Sequence, residues 1–212
     1  GIGQGASRPT INLTTVVGAS IRINAASVHL ENVLITGGLD DITTVFDING
    51  VADVTLKDIE YRDVTGQCAI FMACANNTDR LTVDGFRYIG AAAAGTTIGF
   101  RFNGCDDLDF KNFDIYGNFS TGVFDFVATL SARVHFHLGK AWTENAADII
   151  FAATVAGVTG FIGPDLVLAL KDDAANGLAA LAPASVYYID PIYIVNAVNE
   201  KGLVTNKTAS GL

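Results

Sequence analysis

The sequence predicts an all-β fold, a single-stranded parallel β-helix (solenoid) with about 26–27 residues per coil. Three observations carry that prediction. One apolar spacing returns five times, at Val28 and Leu30, Val54 and Leu56, Leu81 and Val83, Leu108 and Phe110, and Val134 and Phe136, in steps of 26, 27, 27 and 26 residues. Within each copy the apolar residues alternate with others, as a strand with one buried face requires. Between strands the alternation slips at Asn32, Asp58, Gly85 and Asn112, all turn-forming types that tolerate unusual backbone angles, so the chain bends there.

Along one coil, a first short strand ends at Ile23-Asn24, Ile48-Asn49 and Phe102-Asn103, with a looser match at Phe126. The asparagines place a corner at its end. The repeated apolar pair forms the second strand. Beyond the slip residue, a third strand carries Val33 and Ile35, Ile59 and Tyr61, Phe86 and Tyr88, and Phe113 and Ile115. Leucine-rich repeats would require leucine and asparagine at tighter spacing, and the weak 3.6-residue periodicity disfavours helical repeats.

After about residue 140 the pattern loosens. Ile149 to Thr154 and Val158 to Ile162 suggest one more partial coil, followed by Pro164 and a polar turn at Lys171-Asp172-Asp173. The expected organisation is a β-helix body over residues 1–165, truncated on its N-terminal side, and a C-terminal coil, cap or subunit-packing tail over 166–212. The tail carries VYYIDPIYIVN, residues 186–196. An open coil end is a sheet edge that proteins normally cover, so this apolar stretch is either the last coil or a packing surface.

Half of the 212 residues are apolar and 17% are charged, enough for a large core. Thirteen Lys+Arg against 22 Asp+Glu give a net charge of -9, which argues against phosphate backbones and anionic lipid; neither nucleic acid nor membrane is an expected partner. No run of 18 apolar residues and no basic, hydrophobic leader is present in the sequence. Cys68, Cys74 and Cys105 have no metal-type spacing and read as reduced, small core residues.

Stacked coils would make equivalent outward residues into neighbours. Three columns result: Asp53, Arg80, Asp107, Arg133; Glu31, Lys57, Asp84, Lys111, His137; and Glu60, Arg87, Asp114. Apart from the step to His137, every adjacent pair alternates in sign. The columns were not used to align the repeats, so they support the register independently.

Candidate chemistry is weighed against that charged wall. Adjacent Asp106 and Asp107 could serve acid-base catalysis, but Asp107 falls between Arg80 and Arg133, and a structural ion pair is the better reading. His135 and His137 flank inward Phe136 and point outward together, the spacing of two metal ligands on a strand. No third His or Cys ligand is evident nearby, which favours a solvent-facing pair; His29 stands alone, four coils away. Gly1-Ile2-Gly3-Gln4-Gly5 lacks the strand and helix of a dinucleotide loop. Asn12, Asn76, Asn118 and Asn206 begin glycosylation sequons, unread without evidence of secretion. Phe46, Phe71, Phe100, Phe124 and Phe151 recur near the coil starts, where core or cap packing is the plain explanation and sugar stacking the sharper one. The expectation is no catalytic residue, no cofactor and no metal.

The ladder of alternating strands with Asn24, Asn49 and Asn103 at a corner resembles the right-handed parallel β-helix of the pectate-lyase-like superfamily, over roughly residues 1–165. That fold hosts lyases, hydrolases, adhesins and viral fibres. More narrowly, GIGQGASRPTINL, YRDVTGQ, DRLTVDGF and NEKGLVTNKTAS are similar to phage-type virion structural proteins with a β-helix body. In that group a GxGxxRPT-like segment follows earlier strands, which is why the chain is expected to start inside its domain. Galacturonase-like enzymes of the superfamily would bring Gly-His-Gly and Arg-Ile-Lys segments; Arg22-Ile23-Asn24 is the nearest approach here. The resemblance implies a non-enzymatic virion protein of capsid decoration, cement or head-fibre type. A homotrimer is expected, with contacts in the outward residues of one sheet and in the tail around Tyr187, Tyr188, Ile192 and Tyr193, and with the major capsid protein, other virion proteins or host-surface polysaccharide as partners. The competing expectations are a polysaccharide-cleaving tailspike-type enzyme and a bacterial surface adhesin.

Overall fold

The structure, a computed structural model, describes residues 8–14, 16, 18–38, 42–63, 68–75, 77–90, 96–143, 150–155 and 157–169, together with the backbone of 179–180, 186–189 and 192–195. The described elements are all β-strands, and they stack as a parallel β-solenoid.

Three parallel sheets form the walls. Wall one stacks Thr10–Leu13, Leu34–Gly37, Glu60–Asp63, Arg87–Ile89, Asp114–Gly117, Gly139–Thr143, Leu166–Ala169 and Ile192–Val195. Wall two stacks Ile21–Ile23, Ile42–Asn49, Cys68–Ala75, Ile98–Phe102, Gly122–Phe126, Phe151–Ala153 and Ala179–Ala180. Wall three stacks His29–Glu31, Ala52–Lys57, Thr78–Asp84, Asp109–Lys111, Val134–His137, Thr159–Ile162 and Val186–Ile189, with Cys105–Asp106 also paired to Thr78–Asp84. The chain visits the walls in the order one, two, three and repeats.

The register is the one read from the apolar spacing. Leu30, Leu56, Val83, Phe110, Phe136, Ile162 and Ile189 are successive partners in wall three. Ile35, Tyr61, Tyr88, Ile115 and Ala141 are partners in wall one. Wall two aligns Ile23, Ile48, Cys74, Phe102 and Phe126, so Cys74 fills the coil in which the spacing showed no match.

The corner between walls three and one is made by a file of left-handed residues: Asn32, Asp58, Gly85, Asn112, Leu138 and Asp165, with φ from 50° to 74°. Four of these are the slip residues. At the corner leaving wall two, the left-handed positions are Gly50, Asn77, Gly104 and Ala128; two of these directly follow Asn49 and Asn103. A third left-handed file, Ser27, Asp53, Arg80, Asp107 and Arg133, bends the entry to wall three. Most L-residues resist this conformation, so its occupation by Asp and Arg in consecutive coils reflects what their side chains do.

The core runs along the solenoid axis. Phe46, Phe71, Phe100, Phe124 and Phe151 are all buried, with successive ring centroids 5.8, 5.5, 5.5 and 5.2 Å apart. They do not form one file, however. Phe46 and Phe100 both pair with Met72, and Phe71 sits one residue earlier. Both Phe71 and Met72 point inward because the inside–outside alternation of Cys68–Ala75 slips between them. All three cysteines are free and buried, and burial pushes the Cys68 thiol up to about 11.

Beyond residue 140 the coil is complete rather than partial, since Phe151–Ala153, Thr159–Ile162 and Leu166–Ala169 each pair in register with the coil before. The spacing weakens there because small residues replace bulky ones. Gly160 lies directly above Val134, and a Cβ at that position would run into the Val134 carbonyl oxygen. Val186–Ile189 and Ile192–Val195 extend walls three and one by another strand each. The side chains of VYYIDPIYIVN, and the opening GIGQG and closing NEKGLVTNKTAS segments, lie outside the described residues.

Candidate functional site on wall three

In the strand Val134–His137 the inward positions are Val134 and Phe136, both fully buried, which turns His135 and His137 outward side by side. One coil earlier, Phe110 is the inward residue of Asp109–Lys111, so Asp109 and Lys111 face out. Strand pairing sets Asp109 against His135 and Lys111 against His137. Four polar side chains thus share one patch of wall.

The imidazoles stack in parallel, with centroids 4.1 Å apart and planes 8° from coplanar. His137 Nε2 lies 2.8 Å from Asp109 Oδ1, and His135 Nδ1 lies 3.9 Å from the same oxygen. A carboxylate oxygen can only accept, so His137 donates its Nε2–H. Lys111 Nζ donates to Asp109 Oδ2 at 2.7 Å. On the far side, His135 Nε2 is 3.1 Å from the carbonyl oxygen of Gly163, and Phe161 meets the His135 ring edge-on at 5.8 Å. Burial raises the Asp109 pKa, but the bonds from Lys111 and His137 outweigh it and the carboxyl ends below its ordinary value. Among the described residues this is the one set of three His, Cys, Asp or Glu side chains whose donor atoms converge. The histidine pair is legible in the sequence, but its meeting with Asp109 is not part of the outward columns read there. The signal for joining them was the coil spacing itself, since Asp109 stands 26 residues before His135.

No family model, curated protein or solved structure matches this chain.

The other candidate residues are bound into the solenoid. Asp107 takes both ends of the Arg133 guanidinium, one of the bonds at 3.0 Å, and its carboxyl is held below the usual range by that bond. Asp106 Oδ1 instead accepts the Ala132 amide at 2.8 Å. The two carboxylates therefore hold the next coil, one through a side chain and one through the backbone. Arg80 turns to Asp53, with one bond at 2.9 Å, rather than sharing itself with Asp107. His29 lies by Glu31 at 3.2 Å on the exposed first strand of wall three.

The second column keeps its register but not all its contacts. Lys57 reaches Glu31 at 2.8 Å, whereas Lys111 binds Asp109 within its own strand and Asp84 accepts from Asn112 at 2.6 Å. In the third column Glu60 faces outward in register with Arg87, as expected, but it is covered rather than exposed. It is 5% exposed, covered by Arg8 at 3.0 Å and Arg62 at 2.6 Å, with Arg87 at 4.0 Å. Arg8 and Arg62 come from outside the column, which is why alternation alone did not reveal them.

Further ladders escaped the sequence reading. Wall two stacks Arg22 on Asp47 at 3.0 Å and Arg101 on Asp125 at 3.2 Å. Burial raises the Asp125 carboxyl against the pull of Arg101. Wall one extends its column from Asp114 to Lys140 at 3.4 Å. Beside that pair is a groove of about 260 Å³ lined by Tyr116, Trp142 and Val167 among others. Trp142 is 43% exposed and meets Tyr116 edge-on at 5.5 Å.

Proposed function

We propose that this chain is a non-enzymatic structural protein of a phage virion, of capsid decoration, cement or head-fibre type, that serves as a rigid oligomeric spacer. The observation that carries the reading is how the outer walls spend their charges. Asp53, Asp107, Arg80 and Arg133 tie one coil to the next, as do Glu31 with Lys57 and Arg101 with Asp125. Groups engaged in this way stiffen a solenoid and are poorly placed to turn over a substrate. The virion assignment rests on the resemblance of GIGQGASRPTINL, YRDVTGQ, DRLTVDGF and NEKGLVTNKTAS to phage-type structural proteins. A homotrimer, with the major capsid protein or other virion proteins as partners, belongs to the same reading.

The test is immuno-electron microscopy of particles released by the cells that encode the chain. Label on heads or tails is the expected result; label confined to the cell envelope would replace the virion reading with that of a surface adhesin.

A second reading is favoured by the groove beside Trp142. An exposed indole next to a tyrosine, with the Asp114–Lys140 pair at its rim, offers the stacking face and polar groups that a glycan uses. In this reading the spacer contacts host-surface polysaccharide. Release of reducing ends or unsaturated products from capsular polysaccharide, lost in Asp114→Asn or in Asp106→Asn with Asp107→Asn, would establish a polysaccharide-cleaving enzyme and overturn the non-enzymatic assignment.

A further inference from the structure

We propose that Asp109, His135 and His137 form a binding site for a divalent transition-metal ion of the zinc class, clipping two consecutive coils of wall three together. Three donor atoms, Asp109 Oδ1, His135 Nδ1 and His137 Nε2, lie within 4.8 Å of one another. A tetrahedral ion with bonds near 2.0–2.1 Å holds its ligand atoms about 3.4 Å apart. The separations from Asp109 Oδ1, 2.8 Å to His137 and 3.9 Å to His135, bracket that value, so the three donors can reach one ion once the two rings turn out of their parallel stack.

The surroundings are arranged for ligation. The Gly163 carbonyl oxygen 3.1 Å from His135 Nε2 can only accept, so Nε2 carries the proton and the Nδ1 lone pair faces Asp109. A backbone carbonyl on the second ring nitrogen is the usual partner of a metal-bound histidine. His137 at present gives its Nε2 proton to Asp109. On metal binding that nitrogen becomes the ligand and the ring proton resides on Nδ1, so the neutral imidazole is conserved. Lys111 engages Asp109 Oδ2 and leaves Oδ1 to the ion. An ion must lie in the plane of each imidazole that binds it, so binding turns His135 and His137 out of the parallel stack they form beside the Phe161 edge.

Donor type sets the class of ion. Two imidazoles and one carboxylate suit zinc, cobalt, nickel or copper, whereas magnesium and calcium require oxygen ligands throughout. Three protein ligands leave a fourth position for water. Lys111 neutralises the carboxylate and repels the incoming cation, so removing its charge should tighten binding.

The experiment uses the full chain, stripped with a chelator and titrated with Co²⁺ by visible absorption, then with Zn²⁺ in competition. One Co²⁺ per chain with tetrahedral-type absorption, displaced by Zn²⁺, is expected, together with a rise in melting temperature on Zn²⁺ addition. His135→Asn, His137→Asn and Asp109→Asn should each weaken binding by roughly tenfold or more, Lys111→Met should strengthen it, and His29→Asn should leave it unchanged. Circular dichroism verifies that the variants keep the parent fold. Absence of saturable binding at millimolar Co²⁺ and Zn²⁺, or parent-like affinity in His137→Asn, overturns the proposal. Equal weakening by His29→Asn also overturns it, because the ion would then be held elsewhere.

Discussion

At the scale of single residues, the fold depends on which side chains tolerate left-handed backbone. The corner file of Asn32, Asp58, Gly85 and Asn112 uses the types that adopt it most readily. Leu138 holds the same conformation, at φ 53°, with its side chain 43% exposed. Leucine gains little burial there and carries the steric penalty of αL, about 1 kcal/mol. Its amide donates to the Pro164 carbonyl at 3.0 Å, a bond that a substitution at the side chain preserves. Leu138→Asn is therefore expected to stabilise the chain by about 1 kcal/mol, read as a higher urea midpoint at unchanged m-value. A lower midpoint would mean that the leucine contributes packing beyond its exposure.

At the scale of elements, neighbouring strands are tied by charge as well as by backbone pairing. Lys57 lies between Glu31 and Asp84 in register and bonds to Glu31. Lys57→Glu sets three carboxylates in a row, so its melting temperature should fall below the parent's at low ionic strength and recover as salt is added. An unchanged melting temperature at every ionic strength would contradict the ladder. Acid acts on the same elements. Bonds from Arg80 and Arg133 hold the carboxyls of Asp53 and Asp107 below the ordinary aspartate value of 3.8. The unfolded chain then binds more protons than the folded one near that value. The stabilisation is fully present above pH 3.8 and is lost as pH falls through the folded values. Thermal melts across the acid range should show Asp107→Asn less stable than the parent near neutrality and less sensitive to acid. Parallel pH profiles for the two proteins would show that Asp107 contributes nothing to the ladder.

At the scale of the whole molecule, eight strands stacked at about 4.8 Å give wall one a span of roughly 34 Å. The last wall-one and wall-three strands, Ile192–Val195 and Val186–Ile189, continue the parallel pairing, and a strand at the end of a sheet presents unpaired backbone groups. Apolar side chains also become more exposed in these later coils, with Leu138, Trp142, Phe161 and Val167 all open to solvent. The proposed homotrimer would cover such surface by closing a ring. Light scattering should report a trimer for the full chain and a smaller species after removal of residues 186–212. Monomers in both cases would refute the assembly, and an oligomer unaffected by the truncation would move the interface to the solenoid walls.

The sequence by itself determined the repeat, the strand register and two of the corners. Inward side chains such as Leu56, Val83 and Phe110 recur once per coil because each must fill the same section of the core, so their spacing is written along the chain. The left-handed corner was legible because few residue types accept that backbone, and Asn32, Asp58, Gly85 and Asn112 are among them. The outward columns already paired Asp53 with Arg80, Asp107 with Arg133 and Glu31 with Lys57, but only the tertiary structure decided the remaining charge contacts. Register brings Lys111 beside Asp84, yet side-chain reach gives it to Asp109. Glu60 is buried by arginines from two different places in the chain. The convergence of Asp109 with His135 and His137 depends on a donor distance across coils, which the identity of the residues leaves open until their side chains are placed in space.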